Sequence, residues 1–150
     1  MDAANTAASG KSVEELIEDF ALLDDWEDRY RFVIELGKEL PPLPEELRTE
    51  ANKVQGCTSQ VWLIGTRHDG PNGTVLDYQG DSDAHIVRGL VAVLLTILSG
   101  KSADAILKTD ALAVFRQIGL EGHLTPQRSN GLRSMVERIR ADAQAVLAEA

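Results

Sequence analysis

The chain has 150 residues, of which 43% are hydrophobic, and this length and content fit one compact domain. Its formal net charge of −9 argues against a nucleic-acid partner, because neutralising phosphates needs a surplus of lysine and arginine. The single cysteine, Cys57, excludes an internal disulfide and suits a reducing compartment, so we expect a cytoplasmic protein.

The N-terminal residues 1–11 are small and polar, and we expect them to form a disordered tail before a domain over residues 12–150. They lack the basic and apolar regions of a secretory signal. The most apolar stretch, residues 89–100, is shorter than the roughly twenty residues that a membrane span requires. It is therefore predicted to be a buried core helix, and no membrane partner is expected.

Two helices are predicted in the first third of the chain. Ser12 and Glu15 have the spacing of a capping box that opens the first. Apolar residues at spacings of three and four then run from Trp26 to Gly37 and form the stripe of the second. This helix must end before Pro41, which cannot continue a helix interior.

A β-hairpin is predicted in the middle of the chain, with strands over 61–64 and 74–78. The turn is expected over 68–73, where Asn72 and Gly73 would supply positive φ angles. The run from Asp81 to Asp83 is expected to cap the long apolar helix and complement its dipole.

Three more helices follow, beginning after Ser102, at Ala111 and at Pro126, where Thr125 is the expected cap. A small antiparallel sheet packed against several helices is an α+β fold.

The cysteine lies in the segment VQGCTSQ, where Gly56 relaxes the backbone and polar residues follow. Such a segment is typical of a loop that enters a strand. The three histidines have ordinary explanations in a turn (His68), a first helical turn (His85) and a glycine-flanked break (His123), and none has the spacing of a catalytic triad.

Paired metal ligands are missing from the sequence, and one thiol is too few for a cluster scaffold. A single thiol is enough to accept sulfur from another protein's persulfide, a step analogous to thiol–disulfide exchange. That step needs no metal and no cofactor on this chain.

Four segments, in order, resemble the SufE family and its close relative CsdE: WEDRYRFVIELGKELPPLP, NKVQGCTSQVW, GDSDAHIVRGLVAV and HLTPQRSNGL. The QGC-x-SQVW segment is the specific one. These families are sulfur acceptors that work with PLP-dependent cysteine desulfurases in iron–sulfur cluster assembly. The resemblance implies a fold like that of the IscU scaffolds, without their cluster-ligating cysteines.

The resemblance further implies that Cys57 carries the persulfide, on a loop that shelters the sulfur and swings outward on docking. The donor would be a SufS/CsdA-like desulfurase, which keeps the PLP, and the recipient an iron–sulfur scaffold complex such as SufBCD. This chain would itself bind no cofactor, and it would stimulate the desulfurase as a transfer partner rather than act as a stand-alone enzyme.

Five further residues are candidates for the loop or the desulfurase-facing surface: Gln55, Gly56, Gln60, Asp83 and Arg128. By resemblance, Asp83 and Arg128 lie near the acceptor loop or near the surface that faces the desulfurase. Alternatively, Asp83 only favours the start of a helix, and Arg128 only makes a structural salt bridge. Gln55 and Gln60 either hold the loop by hydrogen bonds or are ordinary polar residues beside a strand.

Two rival functions remain open at this point. In the first, the chain is a binding module that activates a desulfurase conformationally while Cys57 only packs. In the second, Cys57 is a redox sensor that forms a sulfenic acid with peroxide.

Overall fold

The computed structural model describes residues 12–149, so the predicted tail over 1–11 lies outside the described residues. The helices are α1 (Val13–Ala21), α2 (Trp26–Lys38), α3 (His85–Leu98), α4 (Ala103–Lys108), α5 (Ala111–Gln117) and α6 (Pro126–Ala148). The strands are β1 (Val61–Gly70), β2 (Gly73–Ser82) and β3 (Lys101–Ser102). Short 3₁₀ turns lie at Glu45–Leu47 and Glu121–His123.

The helix starts follow the local sequence. Ser12 and Glu15 form both hydrogen bonds of the predicted capping box at α1. Ser102 caps α4, and Thr125 caps α6 with Pro126 in the first helical position. These predictions are confirmed because a cap depends only on residues within one turn of the helix end.

The three strands form an antiparallel sheet in the order β1-β2-β3, which confirms the α+β fold. β1 and β2 are paired from Val61 opposite Ser82 to Gly70 opposite Gly73, so both strands are longer than their apolar parts. The turn is correspondingly shorter than predicted. Gly73 has a φ of +112°, whereas the positive φ expected at Asn72 is wrong.

Helix α3 is the centre of the core, and all its residues except His85 and Arg88 are buried. Helix α2 crosses it at a close contact, where a Cβ on Gly37 would lie 2.7 Å from the backbone nitrogen of Gly89. The prediction of a buried core helix is confirmed. Within residues 12–149, no helix is both long and apolar enough to cross a bilayer.

The expected side-chain cap of α3 is wrong. Ala84 occupies the cap position, and among the described residues no side chain accepts a hydrogen bond from the first helical turn there. Asp81 is buried instead, with its carboxylate 2.9 Å from Arg48 Nη2 and 3.1 Å from Arg88 Nε. A buried carboxylate needs such cationic partners. The Asp81 carboxylate therefore pairs with the two arginines rather than with the backbone N–H groups at the start of α3.

Candidate functional site

The cysteine lies in a loop closed by two antiparallel hydrogen bonds at its base. Val54 N donates to Val61 O at 2.8 Å, and Leu63 N donates to Asn52 O at 2.9 Å. The residues between these paired ends, 55–60, are named here the cysteine loop. The predicted loop that enters a strand is therefore present, because β1 begins directly after it.

The tip of the cysteine loop packs against α6. The Cys57 thiol donates a hydrogen bond to the Gly131 carbonyl, with an Sγ–O distance of 3.5 Å. A Cβ at Gly131 would lie 3.4 Å from Sγ, and a Cβ at Gly56 would lie 2.5 Å from Ser134 Oγ. Two glycines thus allow the loop and the helix to come this close.

A cavity of about 280 Å³ opens beside the thiol. Its apolar lining includes Val87 and Leu90 of α3 and Met135 of α6. Its polar lining includes Thr58, Gln127 and Arg128. The cavity is large enough for an additional sulfur atom on Cys57, with apolar surface on one side and hydrogen-bonding groups on the other.

Burial raises the pKa of the Cys57 thiol above its ordinary value, because desolvation penalises the thiolate. The protonated thiol is thus favoured in this conformation. Arg128 borders the same cavity, and its guanidinium has no hydrogen bond or ion pair within residues 12–149. The structural salt bridge considered for Arg128 is therefore not among its described contacts.

Asp83 lies at the exit of the cysteine loop. Its Oδ1 accepts from Gln60 N at 3.1 Å, and its Oδ2 accepts from Gln60 Nε2 at 3.4 Å. Asp83 N also donates to Gln60 O at 3.3 Å. Within residues 12–149, Gln55 makes one side-chain hydrogen bond, an exposed one from Nε2 to Glu50 Oε2 at 3.4 Å. The structure thus places Asp83 and Gln60 together, while Gln55 points to a different partner.

The histidines lie elsewhere. His68 is within β1 rather than in the predicted turn, with Nδ1 2.8 Å from Asp77 Oδ2. His123 stacks on Trp26 with 4.5 Å between ring centroids, and His85 is exposed. None of the three borders the cavity beside Cys57. Within residues 12–149, no group of three or more His, Cys, Asp or Glu side chains is arranged to hold a metal ion.

Residues 14–143 match the family described as "SufE: Fe-S metabolism associated domain". The chain belongs to the SufE family. A SufE-like protein of Rhizobium meliloti, described as uncharacterised, is 57% identical over 133 residues, which are 89% of this chain and 95% of that protein. An uncharacterised SufE-like protein of Rhizobium etli is 58% identical over 133 residues, which cover 89% of this chain and 90% of the relative.

A solved structure is similar to this SufE-family chain in fold. It is the solution structure of a hypothetical protein from Thermus thermophilus, with a TM-score of 0.69 and 23% sequence identity. The match covers 95% of this chain and 98% of that one. At this identity the likeness concerns the fold alone.

Three residues of this SufE-family site were missed by sequence reasoning. They are Gly131 and Ser134, which meet the cysteine loop, and Arg138 of α6, which donates to the Ala51 and Lys53 carbonyls just before that loop. Gly131 carried a usable signal, because a glycine inside a helix costs roughly 1 kcal/mol relative to alanine and often marks a close approach. Ser134 and Arg138 carried none. Their relevance depends on which face of α6 meets the cysteine loop.

Proposed function

We propose that this SufE-family chain is a sulfur acceptor and carrier in which Cys57 takes sulfur from the persulfide of a PLP-dependent, SufS/CsdA-like cysteine desulfurase. The observation that carries this proposal is the position of the chain's only cysteine. It lies on a glycine-containing loop beside a partly apolar cavity, in a family associated with Fe–S metabolism.

The transfer is a displacement at sulfur. The Cys57 thiolate attacks the outer sulfur of the donor's Cys–S–SH, a new S–S bond forms, and the donor's own S–S bond breaks. The donor cysteine leaves as a thiolate, and Cys57 becomes Cys57–S–SH with the proton retained on the transferred sulfur. Atoms and electrons balance without an oxidant, a reductant, a metal or a cofactor on this chain.

The closed loop is suited to protection rather than to loading. Cys57 donates to a carbonyl, and burial favours its protonated form. Loading therefore requires the loop to leave α6, so that the thiol ionises and reaches the donor's sulfur. Gly56, with a φ of +92°, and the exposure of its neighbours Gln55 and Thr58 are compatible with such a movement.

The return of the loop would place the persulfide against Val87, Leu90 and Met135, where reductants and oxidants have limited access. Arg128, with no ion pair among residues 12–149, is available to a carboxylate of the docked desulfurase. The carrier would then supply an iron–sulfur scaffold complex of the SufBCD type. Removal of the product sulfur would itself stimulate turnover of the desulfurase.

The decisive experiment is intact-mass analysis after the protein is mixed with a desulfurase and L-cysteine. We expect a gain of one sulfur atom, lost on treatment with a thiol reductant and not formed by Cys57→Ser. The binding-module alternative expects no adduct and stimulation of the desulfurase that Cys57→Ser retains. The second result would end the carrier proposal.

A further inference from the structure

The base of the cysteine loop is held by hydrogen bonds in two directions. The Asn52 carbonyl points to β1, where it accepts from Leu63 N at 2.9 Å. The carbonyls on either side of it point to α6. Ala51 O accepts from Arg138 Nη2 at 3.0 Å, and Lys53 O accepts from Arg138 Nη1 at 3.2 Å. One guanidinium thus satisfies the two carbonyls that the sheet leaves unused.

The guanidinium lies beside Asp142, which is itself held by Tyr78. Its Nε lies 4.0 Å from Asp142 Oδ1, one turn further along α6. The other oxygen of Asp142 accepts from the hydroxyl of Tyr78 at 2.7 Å. Burial and this hydrogen bond raise the pKa of Tyr78, so it remains a donor. A connected set of contacts therefore runs from β2 through Asp142 and Arg138 to the base of the loop.

Helix α6 therefore contacts the loop at its base and at its tip. Arg138 donates hydrogen bonds at the base, and the Gly131 carbonyl accepts one from Cys57 at the tip. Hydrogen bonds from a charged donor are stronger than those between neutral groups. When the base is held at a fixed distance from α6, the tip returns to the same position. If the base is released, the position of the tip on α6 is no longer fixed from that side, and the weak thiol bond and the Gln60–Asp83 contacts at the loop exit are left to hold it.

We propose that Arg138 is a positioning residue that keeps the cysteine loop closed on α6 and thereby sets how often Cys57 becomes accessible. The proposal rests on the proposed function for its consequence, because loading by a donor requires an accessible thiol. Its physical content is independent of any donor and concerns the equilibrium between closed and open loop.

The chain offers a matched control on the same helix. Arg140 is also partly buried and also donates to a backbone carbonyl, Leu107 O at 3.1 Å, but this carbonyl belongs to α4. Arg138→Met and Arg140→Met remove the same charge and the same number of side-chain donors. Only the first removes contacts to the segment that leads into the cysteine loop.

The readout is the rate of Cys57 alkylation by iodoacetamide, whose lack of charge makes its approach insensitive to the loss of a cation. We expect Arg138→Met to raise the rate about tenfold, the factor that corresponds to about 1.4 kcal/mol. Arg138→Lys, which retains the charge and one donor direction, should fall between wild type and Arg138→Met. Arg140→Met should remain within about twofold of wild type, since its lost bond does not reach the loop.

The unfolding free energy of each variant is measured in urea alongside. Equal alkylation rates for folded Arg138→Met and wild type would overturn the proposal. Equal increases in the Arg138 and Arg140 variants would also overturn it, because they would indicate general loosening of α6. If Arg138→Met does not fold, an unchanged alkylation rate in folded Arg138→Lys would also overturn the proposal.

The assay contains no desulfurase, so its failure and that of the carrier function are distinguishable. If the intact-mass experiment showed no sulfur adduct, the carrier function would fail. A difference in alkylation rate between the Arg138 and Arg140 variants would still support the role of Arg138 in holding the loop.

Discussion

Substitution of Gly56 by alanine tests directly whether the cysteine loop opens. Gly56 has a φ of +92°, in the region that residues with a Cβ rarely adopt. A Cβ there would also lie 2.5 Å from Ser134 Oγ. Both effects act only while the loop is closed on α6, because an open loop can change its φ and moves away from the serine.

The strain can be given a magnitude. A residue with a Cβ in the left-handed region costs roughly 1–2 kcal/mol. The contact with Ser134 adds less, because its hydroxyl is the end of a side chain that can rotate. A cost of about 1–2 kcal/mol corresponds to a factor of about 5–30 in an equilibrium constant. The ratio of closed to open loop should fall by this factor, and the iodoacetamide rate at Cys57 should rise by up to the same factor.

Gly73→Ala is the control. Gly73 has a φ of +112° at the β1–β2 turn, and a Cβ there would meet no atom within 4 Å. It therefore takes a similar backbone penalty far from the cysteine loop. We expect Gly73→Ala to lower the urea unfolding free energy by about 1–2 kcal/mol with an unchanged alkylation rate. If Gly56→Ala behaves in the same way as Gly73→Ala, the loop does not open independently and the reasoning is refuted.

Three further outcomes are expected. Because burial raises the pKa of Cys57, the midpoint of its alkylation rate against pH should lie above that of the urea-unfolded chain; a lower native midpoint would contradict this. Asp83→Asn should raise the alkylation rate of Cys57 a few-fold, because a neutral amide holds Gln60 less strongly than a carboxylate does. An unchanged rate would argue against a role of Asp83 in holding the loop closed. Gly89→Ala places a Cβ against the Val33 carbonyl, so it should lower the unfolding free energy by about 1–3 kcal/mol, as measured by urea denaturation. Unchanged stability would mean that α2 and α3 can separate without cost.

Asp83 and Arg138 act on opposite sides of the cysteine loop. Asp83 bonds its exit through Gln60, whereas Arg138 bonds its entry through the carbonyls of Ala51 and Lys53. Because the two residues share no contact within residues 12–149, their effects on the free energy of loop opening should be close to additive. Each single variant thus measures whether the other side alone can keep Cys57 closed, and the double variant measures whether the two sides act independently.

The elements of the fold were predictable to the extent that they depend on near neighbours. The capping box at Ser12, the stripe of α2, the caps at Ser102 and Thr125, and the buried α3 all follow from spacings within one or two turns. The predictions of local structure that are wrong concern residues whose partner lies far away in the sequence. Asp81 was expected to cap α3, but it meets Arg48, which is 33 residues away in sequence.

The chemistry available to this protein follows from its sequence, because the chain contains one thiol, placed after a glycine, and the motifs of the SufE family. How that thiol is held depends on contacts between distant parts of the fold. Gly131 is 74 residues from Cys57, and Arg138 is 85 residues from Lys53 and 87 from Ala51. Such contacts depend on which face of α6 packs against the loop, and periodicity reveals only that the helix has an apolar face.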